Sequence, residues 1–305
     1  MNARVESITG LQAALNERRY ICDRELAAAL FVALKLERPL LVEGAAGTGK
    51  TEVAKAMAEV LGRELIRLQC HAGMDETRAL YEWNYQKQLL ALQAHAAWGQ
   101  GGARPKAEEG RAGNADQAVK SVFDEDYLLE RPLLRSIRSP EPVVLLVDEL
   151  DKADEEFEAF LLELLAEYQV TIPELGTMRA NSKPFVVLTS NSSRPLSDAL
   201  RRRCVYAFLD YPSPEKELRI IKARFPHADD GLAAEVAKAA AYLRGLPQVL
   251  KKPSVAETLD WLAALEALGR PRLDREAAGE TMGAVLKNRE DTNEVRHDDG
   301  FLALP

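Results

Sequence analysis

Apolar residues follow two alternating patterns along the chain up to about residue 212. Short, mostly apolar runs at 39–43, 143–147 and 184–188 are typical of strands buried on both faces of a parallel sheet. Between such runs, apolar residues recur at helical spacing, as in 25–36 and 51–61. This alternation of strands and helices predicts a three-layer α/β domain.

The pattern changes after residue 212. Apolar positions then keep a helical period without any strand pattern, so an all-helical domain is expected over 213–287, behind an α/β core over 1–212. Within the core, a stretch at about 99–119 is rich in Gly, Ala and charged residues, which predicts a mobile insertion. The last stretch, 288–305, is polar with a short apolar end and is predicted to be a flexible tail.

Composition and charge narrow the class of protein. The 305 residues are 47% apolar and 29% charged, and the net charge of -8 argues against a chain that coats nucleic acid. No apolar run approaches the roughly 20 residues of a membrane span, and the first residues lack the apolar segment of a signal peptide. Three widely spaced cysteines fit a reducing compartment. We therefore predict a cytoplasmic protein with no membrane partner.

A glycine-rich segment follows the first predicted strand and precedes a helix. It matches the pattern G-x-x-x-x-G-K-[ST], in which backbone N–H groups surround phosphate oxygens and the helix dipole favours their charge. The lysine is expected on the β- and γ-phosphates and the threonine on Mg²⁺. A chance glycine-rich turn is the alternative, but it does not explain the place between strand and helix. The predicted nucleotide-binding residues are Gly44, Ala45, Ala46, Gly47, Thr48, Gly49, Lys50 and Thr51.

A second chemical element is the pair Asp148 and Glu149, which ends an apolar strand. We expect Asp148 to bind Mg²⁺, mostly through water, and Glu149 to polarise the attacking water molecule. A small-molecule kinase with the same loop needs no water activator here, so the pair indicates hydrolysis. A solvated acidic turn is the alternative. The carboxylates that follow, Asp151, Asp154, Glu155 and Glu156, are expected at the surface.

A third element combines a strand-end amide with three consecutive arginines. Asn191 follows the strand predicted at 184–188, where its side chain could orient the attacking water. Arg201, Arg202 and Arg203 come soon after it. By itself such a run is typical of a solvated helix end, where cations complement the helix dipole. In a ring, however, one subunit can insert an arginine into its neighbour's site and stabilise transition-state charge.

Together these elements resemble the AAA+ superfamily of ATPases, and finer features resemble its MoxR family. The similarity extends over about residues 20–265, and Glu-Tyr-Gln-Val-Thr at 167–171 is its most specific part. Two segments, 80–85 and 172–177, resemble the branch that contains accessory ATPases of carbon monoxide dehydrogenase. Further segments similar to family motifs are Arg131-Pro132-Leu133, Asp148-Glu149-Leu150-Asp151-Lys152-Ala153 and the stretch from Phe160 to Thr171.

The resemblance implies a fold, cofactors and an assembly. The fold is a three-layer αβα P-loop core with a C-terminal all-helical lid, the cofactors are ATP and Mg²⁺, and the assembly is a homo-oligomeric ring, expected to be a hexamer. Asn191 takes the sensor 1 position, and Arg203 takes that of the arginine finger, with Arg202 and Arg201 as alternatives. The implied catalytic residues are therefore Glu149, Asn191 and Arg203.

The predicted lid departs from the family pattern. Where the family often has Ser-Pro-Arg, with the sensor 2 arginine, this chain has Lys251-Lys252-Pro253-Ser254-Val255-Ala256-Glu257. No arginine matches the sensor 2 position, and Lys252 is the cation that could substitute for it.

Two insertions bear on partners. A helical insert at 74–97 contains Tyr81, Trp83 and Tyr85, which either pack against the core or face a partner, and a hairpin is expected at 170–180. The resemblance implies a partner with a von Willebrand factor A domain and a client metalloenzyme, whose metallocofactor insertion or assembly the ring would drive. The alternatives are a GTP-dependent restriction subunit and a nucleic-acid motor or loader, which the acidic balance argues against.

Overall fold

The computed structural model describes residues 5–100 and 123–302. The predicted insertion at 99–119 therefore lies outside the described residues, apart from positions 99 and 100 at the end of a helix. The chain divides into two compact units. The first unit comprises Met1–Gly62, Thr189–Ser193 and Cys204–Pro305, and the second comprises Arg63–Leu188 and Arg194–Arg203.

Parallel and antiparallel strands are both present, and the long apolar runs form the parallel ones. In chain order the strands are β1 (Leu40–Gly44), β2 (Leu65–Gln69), β3 (Tyr81–Trp83), β4 (Leu128–Glu130), β5 (Val144–Asp148), β6 (Gln169–Ile172), β7 (Gly176–Arg179), β8 (Phe185–Ser190) and β9 (Val205–Leu209). Over the described residues, five of them form one sheet in the order β2-β5-β8-β1-β9. Strands β1, β5 and β8 are buried at every residue, as the apolar runs predict.

Strand register places polar residues at the ends of neighbouring strands. In the parallel pair β2–β5, Gln69 lies opposite Asp148, and in the parallel pair β1–β9, Gly44 lies opposite Leu209. Strands β3 and β4 pair antiparallel, as do β6 and β7. The second of these pairs is the hairpin predicted at 170–180.

Helices flank the sheet and make up the C-terminal part of the chain. In chain order they are α1 (Ile8–Glu17), α2 (Arg24–Leu36), α3 (Lys50–Leu61), α4 (Glu76–Leu80), α5 (Tyr85–Gln100), α6 (Pro132–Arg138), α7 (Glu155–Glu167), α8 (Asp198–Arg203), α9 (Pro214–Arg224), α10 (Asp230–Gly245), α11 (Val255–Ala267), α12 (Arg275–Val285), α13 (Arg289–Arg296) and α14 (Asp299–Leu302). Asp154 accepts a hydrogen bond of 2.9 Å from the Phe157 N–H and so caps α7. None of these helices is long and apolar enough to cross a membrane, within the described ranges.

The helices from α9 to α14 share one apolar core. Trp261 is fully buried at its centre and donates a 2.7 Å hydrogen bond to Thr281 Oγ1. The tail predicted at 288–305 instead contains α13 and α14, because Val295 and Phe301 are buried in the same core. The last three residues, 303–305, lie outside the described residues.

The aromatic insert at 74–97 is not one helix, as the sequence suggests, but the succession α4, β3 and α5. Its aromatic residues were expected either to pack against the core or to face a partner, and the structure shows one buried and one exposed side chain among them. Trp83 is 7% exposed and packs edge-on against Tyr81 and Phe123, with ring centroids 6.0 and 5.4 Å away. Tyr85, at the start of α5, is 67% exposed. Trp83 is therefore a core residue, and Tyr85 is a surface residue.

Candidate nucleotide-hydrolysis site

The predicted phosphate loop connects β1 to α3 in the first compact unit. Gly47 has a φ of 75°, in the left-handed region that favours glycine, and a Cβ there would lie 2.1 Å from Ser254 Cβ. A Cβ at Gly44 would lie 2.1 Å from the Leu209 carbonyl oxygen on the paired strand. A side chain at either position would overlap these neighbouring atoms, so both positions require glycine.

Lys50 is folded back onto this loop. Its side chain is buried, and Nζ donates hydrogen bonds to the Gly44 and Ala45 carbonyl oxygens at 2.9 and 2.6 Å. Thr48 Oγ1 donates to the same Ala45 oxygen at 3.0 Å. A buried ammonium group requires acceptors, and the loop carbonyls supply them. The loop therefore holds a positive charge in place at the N-terminus of α3.

The helical C-terminal region contacts the loop within the first unit. The Val255 N–H donates to the Gly47 carbonyl oxygen at 3.2 Å, at the N-terminus of α11. Ser254 and Glu257 form a reciprocal capping box at this helix start, with bonds of 3.2 and 2.7 Å. The contact therefore joins a rigid helix end to the centre of the phosphate loop.

A buried arginine fixes the segment in front of α11, and no pattern in the sequence predicts its role. Arg244 is 8% exposed and forms a bidentate ion pair with the fully buried Glu217. Its Nε donates a hydrogen bond to the Pro253 carbonyl oxygen at 2.8 Å. Lys252 Nζ donates to the carbonyl oxygens of Arg244 and Leu246, at the end of α10. The cation considered for the sensor 2 position is thus bound to a helix terminus.

The acid pair lies in the second compact unit, at the end of β5. Asp148 is 2% exposed, and its Oδ2 accepts a 2.6 Å hydrogen bond from Arg67 on β2. Gln69, on the same face of β2, accepts a bond from Arg67 and donates one of 3.1 Å to Glu149 Oε2. Arg67 and Gln69 therefore link the two carboxylates through one side-chain network.

The backbone turns sharply at Glu149, which has a φ of 56°. A non-glycine residue in this left-handed conformation costs about 1–3 kcal/mol and is found preferentially at functional sites. Asp151, expected at the surface, is 4% exposed because the short 3₁₀ turn at Leu150–Lys152 returns it to the interior. Burial, with the nearby charges of Asp148, Asp151 and Glu149, raises the pKa of the Cys70 thiol to about 12. Cys70 is therefore an unreactive neighbour of the acid pair.

Asn191 directly follows β8 and is partly exposed. It belongs to the short segment Thr189–Ser193 of the first unit. The next residue, Ser192, has a φ of 58°, and its N–H donates to Ser190 Oγ at 3.0 Å. The chain thus turns away from the strand immediately after the predicted water-orienting residue.

The three arginines form the last turn of α8 in the second unit. Arg201 is half-buried and its Nε donates to the Leu196 carbonyl oxygen at 3.4 Å, whereas Arg202 and Arg203 are exposed. Arg203 Nη1 donates to the Leu162 carbonyl oxygen on α7 at 2.8 Å. It also lines a cavity of about 510 Å³ beside α7 and the start of β6. The predicted finger therefore reaches the surface but is bound to its own chain.

The predicted site residues are divided between the two compact units. The loop from Gly44 to Thr51 and Asn191 belong to the first, and Asp148, Glu149 and Arg203 to the second. Within the second unit, the structure adds Arg67 and Gln69 to the acid pair. One sequence feature indicated them: polar residues at 67 and 69 alternate with buried apolar residues at 66 and 68.

The chain was compared with solved structures, curated proteins and protein families. Among solved structures, the chain is similar to RuvB of Thermotoga maritima, a Holliday junction branch migration motor. The identity is 17%, the alignment covers 95% of this chain and 72% of that chain, and the TM-score is 0.45. A mutant of the same RuvB gives 17% identity, coverage of 94% and 74%, and a TM-score of 0.49. No curated protein matches the chain.

A protein family matches the chain over residues 39–204, which is more than half of its 305 residues. That family is the AAA domain of the dynein-related subfamily. Its match includes the phosphate loop, the acid pair, Asn191 and the arginines of α8. The chain therefore belongs to the AAA+ ATPases, in this AAA domain family, and is an ATP hydrolase.

Proposed function

We propose that this ATP hydrolase works in the cytoplasm as a homo-oligomeric ring, a hexamer by its resemblance to MoxR proteins, and remodels a protein client. The MoxR-like segments at 148–153 and 160–171 support this proposal. By the same resemblance, the partner carries a von Willebrand factor A domain. The client is a metalloenzyme that acquires its metallocofactor, or is assembled, with the help of the ring.

The proposed nucleotide-binding residues are the loop from Gly44 to Thr51 and Asp148. Main-chain N–H groups of the loop would hold the phosphates, and Lys50 would exchange its loop carbonyls for β- and γ-phosphate oxygens. The bonds from Lys50 Nζ to Gly44 and Ala45 support this role, because they hold the ammonium group at the loop.

Thr51 and Asp148 are the proposed Mg²⁺ ligands. Both supply oxygen atoms, and Mg²⁺ is usually held by one or two protein groups together with the phosphates of the substrate. The ion pair of the buried Asp148 with Arg67 supports the assignment, because it indicates a carboxylate that requires a positive charge beside it. When bound, Mg²⁺ neutralises charge that develops on the phosphates during transfer.

Three side chains are proposed to act on the reaction itself. Glu149 would polarise the attacking water, Asn191 would orient it, and Arg203 would stabilise transition-state charge in a neighbouring subunit. Arg203 is exposed, which supports a role between subunits. Arg202 is exposed as well and is the alternative candidate for the same role. The strained backbone at Glu149 supports a catalytic role for that carboxylate.

The exposed apolar surface of α5 is the observation that most favours a protein client. Tyr85, Leu89 and Leu90 are 67%, 56% and 67% exposed on this inserted helix. Neighbouring apolar side chains at the surface are typical of protein interaction sites, whereas nucleic-acid sites require cationic ones. We name these three residues the α5 surface.

The test compares the α5 surface with the buried part of the same insert. In the Glu149→Gln background, which should hold ATP, Tyr85→Ser/Leu90→Ser should remove the proteins that are captured from a lysate. In the wild-type background, the same double substitution should leave ATP turnover unchanged. Its free energy of unfolding should stay within about 0.5 kcal/mol of wild type, because both residues are exposed. Trp83→Ala, the matched buried variant, should instead lose about 3–5 kcal/mol of unfolding free energy.

Three outcomes would contradict the proposal. If the captured proteins are the same with and without the α5 substitutions, the surface does not bind a client. If duplex DNA raises ATP turnover several-fold while captured proteins do not, the nucleic-acid motor is the better assignment. Turnover that requires GTP would favour the restriction subunit.

A further inference from the structure

A buried carboxylate on α7 holds the segment that leads into α8. Glu158 is 1% exposed, and it is the charged residue among the buried positions of α7, which otherwise are Phe157, Leu161, Leu164 and Leu165. Its Oε1 accepts a hydrogen bond from Arg194, and its Oε2 accepts one of 2.9 Å from the Ser197 N–H. Both donors precede α8, which begins at Asp198. The carboxylate therefore fixes the start of α8 against α7.

Arg194 extends this link towards the acid pair. Its Nη2 also donates to the Ala153 carbonyl oxygen at 2.7 Å, and Nη1 donates to the Pro195 carbonyl oxygen at 3.2 Å. Its Nε is buried and has no hydrogen-bond partner among the described residues. A buried donor without a partner is rare in native structures. The hydrogen bonds of the two Nη atoms to Glu158 and the two carbonyl groups therefore orient the guanidinium group.

The other end of α8 is bound to the same helix. Arg203 donates to the Leu162 carbonyl oxygen at 2.8 Å, and Leu162 lies four residues, about one helical turn, after Glu158. Leu196 and Leu200, on the inner side of this segment, are buried. Helix α8 is therefore attached to α7 at both ends, and its arginines keep a fixed direction relative to α7.

We propose that Glu158 and Arg194 are positioning residues that orient α8, and with it the arginine that acts on the nucleotide of a neighbouring subunit. This inference rests on the proposed function of the α8 arginines. A charged group stabilises a transition state only when it is placed accurately, and a displacement of about 1 Å can cost about 10²-fold in rate. Because neither residue belongs to the phosphate loop, the pair should affect turnover and leave ATP binding unchanged.

Arg194→Lys is the conservative test, because lysine keeps the charge but loses the planar guanidinium group, whose Nη2 reaches Glu158 and Ala153 while its Nη1 reaches Pro195. We expect kcat to fall about 10- to 100-fold, with the KM for ATP within about twofold of wild type. Arg270→Lys is the matched control: it changes an exposed ion pair with Glu280 on the C-terminal helices and should leave kcat unchanged.

Subunit mixing distinguishes positioning of an arginine from a general structural role. Lys50→Ala subunits cannot use ATP but keep their arginines, so mixed rings should recover part of the activity of Arg194→Lys. Mixing with Arg203→Ala should give no recovery, because neither subunit then supplies a correctly placed arginine. If Arg194→Lys lowers the melting temperature, the double variant Glu158→Leu/Arg194→Met replaces it in the test. This variant removes both charges, so neither is left buried alone, and the same mixing pattern is expected.

Each result decides the proposal. Wild-type activity of Arg194→Lys would overturn the proposal. It would also be overturned if mixing with Lys50→Ala restores activity to Arg203→Ala but not to Arg194→Lys. If Arg194→Lys recovers with Lys50→Ala and Arg203→Ala does not, the pair still positions α8, and Arg201 or Arg202 is the acting residue. If neither variant recovers in assembled rings, both the positioning role and the proposed action between subunits are wrong.

Discussion

The phosphate loop and the acid pair hold their charged groups by different means. In the loop, Lys50 is bound by main-chain carbonyl groups five and six residues away in sequence. At the acid pair, Asp148 and Glu149 are bound by the side chains of Arg67 and Gln69, about eighty positions earlier. The first arrangement depends on one short segment, whereas the second depends on the register of β2 against β5.

In the proposed mechanism, this difference separates two steps of the reaction. A loop that holds its lysine by main-chain carbonyl groups would bind phosphates without the side chains of the acid pair. A carboxylate that is already engaged by neighbouring side chains must exchange them for a water molecule or a metal ion before hydrolysis. We therefore expect substitutions in the loop to affect ATP binding and substitutions around the acid pair to affect turnover.

The largest effect is expected from Lys50→Ala. Loss of one partner of a buried charge pair costs about 2–5 kcal/mol, which corresponds to an ATP affinity lowered about 30-fold or more. Lys55→Ala is the matched control, because Lys55 lies on the same helix but is exposed and paired with Glu52. Calorimetric titration with an ATP analogue measures both. Equal losses of affinity in the two variants would show that Lys50 has no special role.

An effect of intermediate size is expected at Gly47, through its contact with Ser254. Gly47→Ala should lower ATP affinity about tenfold, because the new methyl group overlaps Ser254 and displaces the loop. Gly62→Ala is the control: its φ of 63° imposes the same backbone strain, but no atom lies within 4 Å of the new Cβ. We expect Gly62→Ala to cost about 1 kcal/mol of stability and to leave ATP affinity unchanged. If both variants bind ATP like wild type, the α11 contact does not shape the loop.

Local patterns predicted the strands, the phosphate loop and the acid pair, because each depends on residues adjacent in sequence. The pairs Glu158–Arg194 and Glu217–Arg244 join residues 36 and 27 positions apart and appear only once the helices pack. The burial of Asp151 has the same origin, since its spacing alone suggests a solvated turn. Periodicity failed where a few apolar residues, such as Phe301, complete a core formed elsewhere.

The smallest effect is expected from Gln69→Ala. Gln69 donates a hydrogen bond to Glu149. If Glu149 acts as proposed, the attacking water would compete with this amide for the carboxylate, so loss of the hydrogen bond should raise basal ATP turnover about two- to tenfold. ATP affinity should not change, because the loop is intact. A steady-state phosphate-release assay measures the change. A fall in turnover would mean that Gln69 holds Glu149 in its working position and does not restrain it.

The nucleotide retained by Glu149→Gln tests the division of labour between loop and acid pair most directly. Wild type, Lys50→Ala and Glu149→Gln would each be incubated with ATP and Mg²⁺, freed of unbound nucleotide and denatured, and the released nucleotide separated by chromatography. Glu149→Gln should release ATP, wild type should release mainly ADP, and Lys50→Ala should release neither. ADP from Glu149→Gln, or no nucleotide at all, would contradict the assignment of Glu149 to hydrolysis alone.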